Sequence, residues 1–297
     1  MPTPNDLSTR PIPPTLLAAR GEVLAAVEVL RSIPDAGLTR EWTWKGGSEE
    51  EVRYAFYRIA ESFELAGIEA ASLIRRAGLD RGRAAERIAP ATAARWDLHG
   101  LLLPLDDATW DADPGGEEWT IRQTLGHVIA SQRGYLVGTV WWESQGLPAD
   151  VPDLPSAPEA IFDVLPSDEA EGEGSRTAVR ERLEALLDEA TEQLAGLTED
   201  RLAVAARWSG FPVDVGFRLG RWSSHIREHT IQVEKTLVML GHSPTEVDRL
   251  VRHVLAAWGR AEAVVYGFAG ADDAVRVIAA AASAARPTAE EVAAIAG

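Results

Sequence analysis

Two histidines four residues apart, His225 and His229, lie in the run Trp222-Ser-Ser-His225-Ile-Arg-Glu-His229-Thr-Ile-Gln232. On a helix, residues i and i+4 share one face a turn apart, so two imidazoles there can grip one ion. Neutral imidazole is the commonest side-chain ligand for zinc, nickel and related divalent ions. Two ligands hold a metal weakly, so a third must come from elsewhere in the chain. His127 is the natural candidate, because it stands in an apolar helical run, Leu125-Gly126-His127-Val128-Ile129-Ala130, whose neighbours turn an imidazole toward the core or a cavity. The competing reading of His127 is a core histidine satisfied by a backbone carbonyl. Gly126 beside it leaves room for close helix approach, which suits a site squeezed between helices. Three protein nitrogens leave coordination positions free. Structural zinc sites are usually closed by four protein ligands, whereas catalytic ones keep a place for water or substrate. The chemistry on offer is that of an open divalent ion, on which water or a thiol loses its proton near neutral pH.

Histidine ligands usually donate their second nitrogen to a carboxylate, a carbonyl or water. Gln232 and Glu228 are candidates for that role, although for Glu228 a solvated helix charge is the plainer reading. On the substrate side, Ser131 and Trp222 lie one turn from the ligands and Tyr135 two turns along. Arg133 and Arg221 are available to receive an acidic thiol or a carboxylate, with surface charge as the plainer alternative. The ten tryptophans, Trp141-Trp142 among them, read first as packing residues. His99, His242 and His253 carry less. His242 sits in the helix-ending turn Gly241-His242-Ser243-Pro244 and reads as exposed, and His253 reads as a surface or boundary residue. No catalytic residue is assigned.

The chain has no cysteine, which excludes disulfides, thiolate nucleophiles and sulfur-rich zinc sites, so any metal must sit on His, Asp or Glu and any thiol must be a cosubstrate. A net charge of −17 argues against nucleic-acid binding and against docking on anionic lipid. The opening Met-Pro-Thr-Pro-Asn-Asp shows no secretion signal, and no apolar run is long enough to span a bilayer, so a cytoplasmic protein is the expectation.

The elements that must position these residues read as helices joined by Pro/Gly/Asp-rich loops, with no period-2 alternation of a sheet. Helices are expected over Leu16–Leu30; from a capping box at Ser48-Glu49-Glu50-Glu51 to about Ala77; over Ala89–Leu103; from Thr120 through Ile121–Trp142; and over Arg176–Leu194. Further helices are expected over Arg221–Leu240 with Gly241 as C-cap, from Ser243 to about Tyr266, and in an Ala-rich tail, Asp273–Ala296, interrupted by Pro287. Leu197–Phe217 reads as irregular. Gly146–Ser175 is too long and polar for an ordinary connector and is either a cover over a site or disordered, with disorder favoured. A weak internal repeat pairs Trp44-Lys-Gly46 and the helix after it with Trp208-Ser-Gly210 and the helix after that, while Trp119 to Ala130 gives a middle copy. With one gap, Ser62 and Ala66 fall against His225 and His229, and Arg58 against His127, so the first unit reads as metal-free. The expected division is a helical extension over 1–85, a metal-binding bundle over 86–270 and the Ala-rich tail over 271–297.

Leu-Gly-His127-Val in one helix, followed by His225-xxx-His229-xx-Gln232 in a later one, resembles the DinB/YfiT-like superfamily. Trp119-Thr-Ile-Arg-Gln-Thr-Leu-Gly-His127 is similar to that family's approach to its first ligand, and Met239-Leu240-Gly241 to its exit from the fourth helix. The likeness covers about Ala89 to Tyr266. It implies an all-α fold, a DinB-like four-helix bundle, here with an additional N-terminal helical pair and C-terminal helices. It also implies a divalent metal held by His127, His225 and His229: zinc or nickel first, manganese or iron as alternatives. Some members are transferases or isomerases that activate a low-molecular-weight thiol such as mycothiol or bacillithiol; many have a metal and no assigned reaction. The mycothiol-dependent isomerase type has Glu at the first position of the HxxxH pair, so His225 fits the thiol-transferase or unassigned branch better. The expectation is a metal-dependent transferase or isomerase acting on a small-molecule substrate, with a thiol or water activated at an open three-histidine site. Its alternatives are a non-catalytic metal-binding stress or interaction protein and a helical interaction module whose histidines do not converge. Bundles of this kind often pair, which makes a homodimer one expectation.

Overall fold

The computed structural model describes residues 9–45 and 47–297. The reading of the first six residues as lacking a secretion signal lies outside them. The fold is all-α in class. In chain order come α1 (Pro14–Arg31), the strands β1 (Glu41–Trp44) and β2 (Ser48–Glu51), and α2 (Arg53–Arg76). Then follow α3 (Arg83–Ile88), α4 (Pro90–Leu102), α5 (Asp107–Asp111), α6 (Ile121–Gln145), α7 (Asp168–Gly172), α8 (Arg176–Leu194) and α9 (Glu199–Leu202). The strands β3 (Ala205–Trp208) and β4 (Phe211–Asp214) precede α10 (Val215–Met239), α11 (Glu246–Val265) and α12 (Asp272–Ala296).

Helices α4, α6, α8 and α10 pack together as one four-helix group, and α1, α2, α11 and α12 as a second. α4 and α11 lie against each other and join the groups into one hydrophobic core. The Ala-rich segment is therefore a bundle helix packed on α1 and α2, and α11 faces both groups.

Four expectations are corrected. Two antiparallel hairpins, β1–β2 and β3–β4, occupy stretches expected as a helix cap and as irregular chain. Each strand is four residues long, and among the described residues only β1 (Trp42) and β3 (Ala205 and Ala206) bury side chains, which is too little for period 2 to show. Ser48 to Glu51 pairs with Trp44 to Glu41 instead of capping α2. Ser209 (φ 45°) and Gly210 (φ 87°) form the two-residue turn of the second hairpin, where left-handed backbone matches the strand twist. α10 thus begins at Val215, six residues earlier than expected, on an Asp214 side chain that accepts from Phe217 N. α12 runs unbroken through Pro287, which lies on the exposed side with Ser283, so the carbonyl that loses its donor faces water. The fourth correction concerns Gly146–Ser175, whose first half bonds to β3 through the carbonyls of Leu147 and Leu154 and whose end forms α7 against α6.

No helix among the described residues is long and apolar enough to cross a membrane.

Candidate metal centre

α6 and α10 carry the three histidines, and their starting caps set which residues face the seam between them. Thr120 Oγ1 accepts from Gln123 N at 3.1 Å while Gln123 Oε1 accepts from Thr120 N at 2.9 Å, a reciprocal capping box. Asp214 does the same work for α10. Counted from those caps, His127 sits two turns into α6, and His225 and His229 sit in the middle of α10, facing α6.

The three rings converge. One nitrogen from each lies within 4.8 Å of the others, and among the described residues this is the one His/Asp/Glu cluster arranged to hold a metal ion. Nε2 of His225 and Nε2 of His229 are 3.0 Å apart. The ring centroids of His127 lie 5.6 Å from His225 and 4.9 Å from His229. The reading of His127 as a core histidine satisfied by a carbonyl is set aside, because its Nδ1 lies 2.9 Å from Asp168 Oδ2.

Outer partners decide which nitrogens are bare. A carboxylate only accepts, so His127 Nδ1 carries the proton and Nε2 presents its lone pair. His229 Nδ1 donates to Gln232 Oε1 at 2.7 Å, which leaves its Nε2 bare as well. Gln232 is therefore the outer partner the sequence suggested, and Glu228 is not, because it turns to the Arg221 guanidinium at 3.1 and 3.2 Å. His225 is 4% exposed, and its Nδ1 has no partner. Burial, with the neighbouring His229, His127 and Arg221, pushes its pKa down to about 3. Burial likewise lowers His229. His225 therefore stays neutral in mildly acidic water, which is the form that ligates.

The site opens on one side: His225 is buried, while His127 and His229 are half-buried. Ser131 Oγ lies 3.4 Å from His127 Nε2, and Tyr135 stacks edge-on to His225 at 5.2 Å. Both are where the sequence reading put them. Trp222 is not: it is fully buried behind Tyr135 and serves the core. Arg133 holds Glu171 at 2.5 Å and Arg221 holds Glu228, so neither is free for substrate. His99 is buried and His253 exposed against Tyr57, whereas His242 is half-buried rather than exposed; none approaches the cluster.

Two contributors were missed. Trp119 lies against His127 at 4.9 Å. Asp168 arrives on α7, at the end of the stretch where disorder was favoured. The acidic residues that suggested disorder are in use there: Glu171 is buried between Arg133 and Arg182, and Arg122 Nη1 donates to the carbonyls of Gly172 and Gly174, each at 2.9 Å. Gly126 explains how α7 gets so close. A Cβ at that position would run into the Asp168 carbonyl, so only glycine lets the strap lie on α6 one residue before the ligand. Room for close approach was expected at Gly126, but for a bundle helix rather than this strap. Pro166-Ser167 ahead of an acidic first turn was the available signal, since Ser167 caps α7.

The family model described as the DinB superfamily matches residues 91–233, which contain all of α4 but Pro90, α6, α8, most of α10 and all three histidines. No curated protein and no solved structure matches the chain.

Proposed function

We propose, for a chain that belongs through residues 91–233 to the DinB superfamily, that His127, His225 and His229 hold one divalent metal ion and that the protein is a metal-dependent transferase activating a small nucleophile, a low-molecular-weight thiol first and water second. The observation that supports it is the pair of Nε2 atoms of His225 and His229 at 3.0 Å, with His127 completing the cluster. Imidazole donors suit zinc or nickel ahead of manganese or iron. When bound, the ion supplies Lewis acidity that lowers the pKa of a thiol or water reaching its open side. The residues prepare that side. Asp168 and Gln232 fix the tautomers of two ligands. Ser131 Oγ offers a hydroxyl next to His127 Nε2, and Trp119 and Tyr135 flank the rings with aromatic surface. With no cysteine in the chain, the thiol comes with the substrate pair.

Metal analysis of the purified protein, followed by titration with zinc, nickel and manganese, tests the site; assay of a haloaromatic electrophile with several small thiols tests the reaction. Uptake of one ion and release of halide with thioether formation are expected. One ion with no turnover across thiols and metals favours a non-catalytic metal protein, and a chain that takes no ion ends both readings.

Asp168→Ala is expected to weaken ion binding by about 10- to 100-fold, the usual cost of losing an outer carboxylate, with Asp168→Asn between it and the parent. Gly126→Ala is expected to weaken it too, because the added Cβ lifts the strap while α6 gains a better helix former. Chelator competition reads both. Equal affinities in all three variants would leave α7 a mere cover.

A further inference from the structure

Two parts of the chain follow one plan. In one, α8 leads through the short α9 into the β3–β4 hairpin and then α10; in the other, α1 leads through a 3-10 turn at Asp35–Gly37 into β1–β2 and then α2. Trp208 and Trp44 close the first strand of each hairpin. The junctions carry the same main-chain bond: Val215 N donates to Val204 O and Val52 N to Arg40 O, each at 2.9 Å. Trp208 pairs with Phe211 but Trp44 with Ser48, so the first hairpin's turn is one residue longer. With that residue allowed for, buried Leu219, Trp222, Ile226 and Val233 of α10 fall on buried Phe56, Ile59, Phe63 and Ala70 of α2.

The remaining helices obey the same correspondence. One constant displacement carries buried Leu125, Val128, Gln132, Thr139 and Trp142 of α6 onto buried Val275, Ile278, Ala282, Ala289 and Val292 of α12. α4 corresponds to α11, and those two helices are the contact between the groups. A Cβ on Gly100 would stand 2.8 Å from Cα of Arg252, and one on Gly259 would stand 3.1 Å from Cα of Ala93. The displacement that takes Gly100 to Gly259 also takes Ala93 to Arg252. The crossing therefore maps onto itself when the two groups are exchanged, as in a two-fold interface. Any two amphipathic helices can be aligned on burial, but a shared hairpin junction and a self-mapping crossing do not come with amphipathicity.

We infer that the chain carries two copies of one four-helix metal bundle, α4–α6–α8–α10 and α11–α12–α1–α2, paired at α4–α11, and that Ser62, Ala66 and Val277 stand in the second copy at the places of His225, His229 and His127. The second copy is permuted in the chain: its last two helices open the sequence and its first two close it. The counterpart of His127 is thus Val277, not the Arg58 that alignment to the middle segment suggested. Ser62 Oγ donates to the Ile59 carbonyl at 2.7 Å, Ala66 is buried and Val277 packs on the core, so the second copy offers no ring nitrogen. α2 and α12 pack on each other as α10 and α6 do, so the helices that carry the three positions are in contact.

The inference rests on the metal reading above in taking the three histidines as the ligand set, and its test is a count of ions in the full chain. The parent is expected to take one zinc. Ser62→His with Ala66→His and Val277→His is expected to take two. Ser62 and Val277 are half-buried, so the pair Ser62→His and Val277→His gives its rings a way to solvent and is the variant that decides if the triple one does not fold. The pair is expected to add a second, weaker ion that is lost when Val277 is restored. Two ions in the parent, or one ion in a folded variant with the grafted histidines, overturns the inference and leaves the first site standing. No ion in the parent overturns the metal reading and this inference together.

Discussion

His225→Ala is expected to cost the chain its ion. Zinc binding worth roughly 10–16 kcal/mol across four ligands in small zinc domains puts one ligand near 3 kcal/mol, or about 100-fold in dissociation constant. His225 is the ligand with the least chance of replacement, because it is 4% exposed and water has little access to fill its place. His253→Ala, at an exposed ring stacked on Tyr57, is the matched control and is expected to leave affinity unchanged. Competition against a chelator separates the two, and equal dissociation constants for both variants would remove His225 from the ligand set. The same ring has a signature in the metal-free chain. Its pKa falls from an ordinary 6.5 to about 3 on folding, through burial first and the charges of His229, His127 and Arg221 after it. Below pH 6.5 the unfolded chain then binds the extra proton, so its contribution to stability is complete above that pH and is lost as the pH falls toward 3. Denaturant melts of the metal-free protein at pH 7.5, 6 and 5, about 1.4 kcal/mol per pH unit at most for one proton, are expected to show a shallower acid decline in His225→Ala than in the parent. Equal slopes would mean that the ring already protonates in the folded state.

How much of this was readable in the residues follows from how local each signal is. The His225–His229 pair and the apolar setting of His127 depend on contacts within one or two turns, so helical periodicity exposes them. Convergence of α6 with α10 is a tertiary fact, and it was reachable only through the resemblance of the Leu-Gly-His127 and His225-xxx-His229 runs to a known family, because α6 is buried on several sides. Asp168 was out of reach for the opposite reason. Forty-one residues separate it from His127, and its neighbours are the Gly, Glu and Pro that composition alone assigns to disorder. What orders them is a set of specific cations, Arg122, Arg133 and Arg182, none of which announces a partner in sequence. The hairpins were missed because a four-residue strand shows two side chains to each face, too few to establish a period. Ser209-Gly210 and Asp214 carry turn and cap chemistry, but within a stretch that reads as irregular. The repeat was visible at its Trp-x-Gly turns, but its second half was hidden by permutation: the match to α6 sits at the far end of the chain, in a run of alanines that reads as a tail.

The two bundles meet over a buried ionic cluster, and Glu262→Leu is expected to be the most damaging single substitution for stability. Glu262 and Arg95 are fully buried, and Arg20 nearly so. Glu262 accepts from Arg20 Nε at 2.5 Å, from Thr92 Oγ1 at 2.8 Å, from Arg95 Nη2 at 3.3 Å and from Trp96 Nε1. Asp188 on α8 holds both arginines from the other side, at 2.5 and 3.2 Å, and accepts from Tyr266 Oη at 2.6 Å. The cluster thus ties α1, α4, α8 and α11, one helix pair from each bundle. Without Glu262, the two buried guanidiniums are left with Asp188 and with the Arg20–Glu184 contact at 3.3 Å, both at the half-buried edge of the cluster. Breaking a buried pair in this way costs about 3–5 kcal/mol, most of it the uncompensated charge rather than the lost attraction. Glu262→Gln keeps an acceptor for Trp96 and Thr92 and is expected to cost less. The diagnostic is the partner variant: Arg20→Met with Arg95→Leu and Glu262→Met replaces three of the four charges in similar volume, leaves Asp188, 17% exposed, with the Tyr266 hydroxyl donating to it, and is expected to recover part of the loss, since an apolar replacement of a buried ionic group is often neutral or stabilising. Urea melts of the three variants give the ordering. A Glu262→Leu protein as stable as the parent would mean that the arginines reach water by another route. A triple variant as unstable as the single one would mean that the cluster holds the bundles in register through its hydrogen bonds.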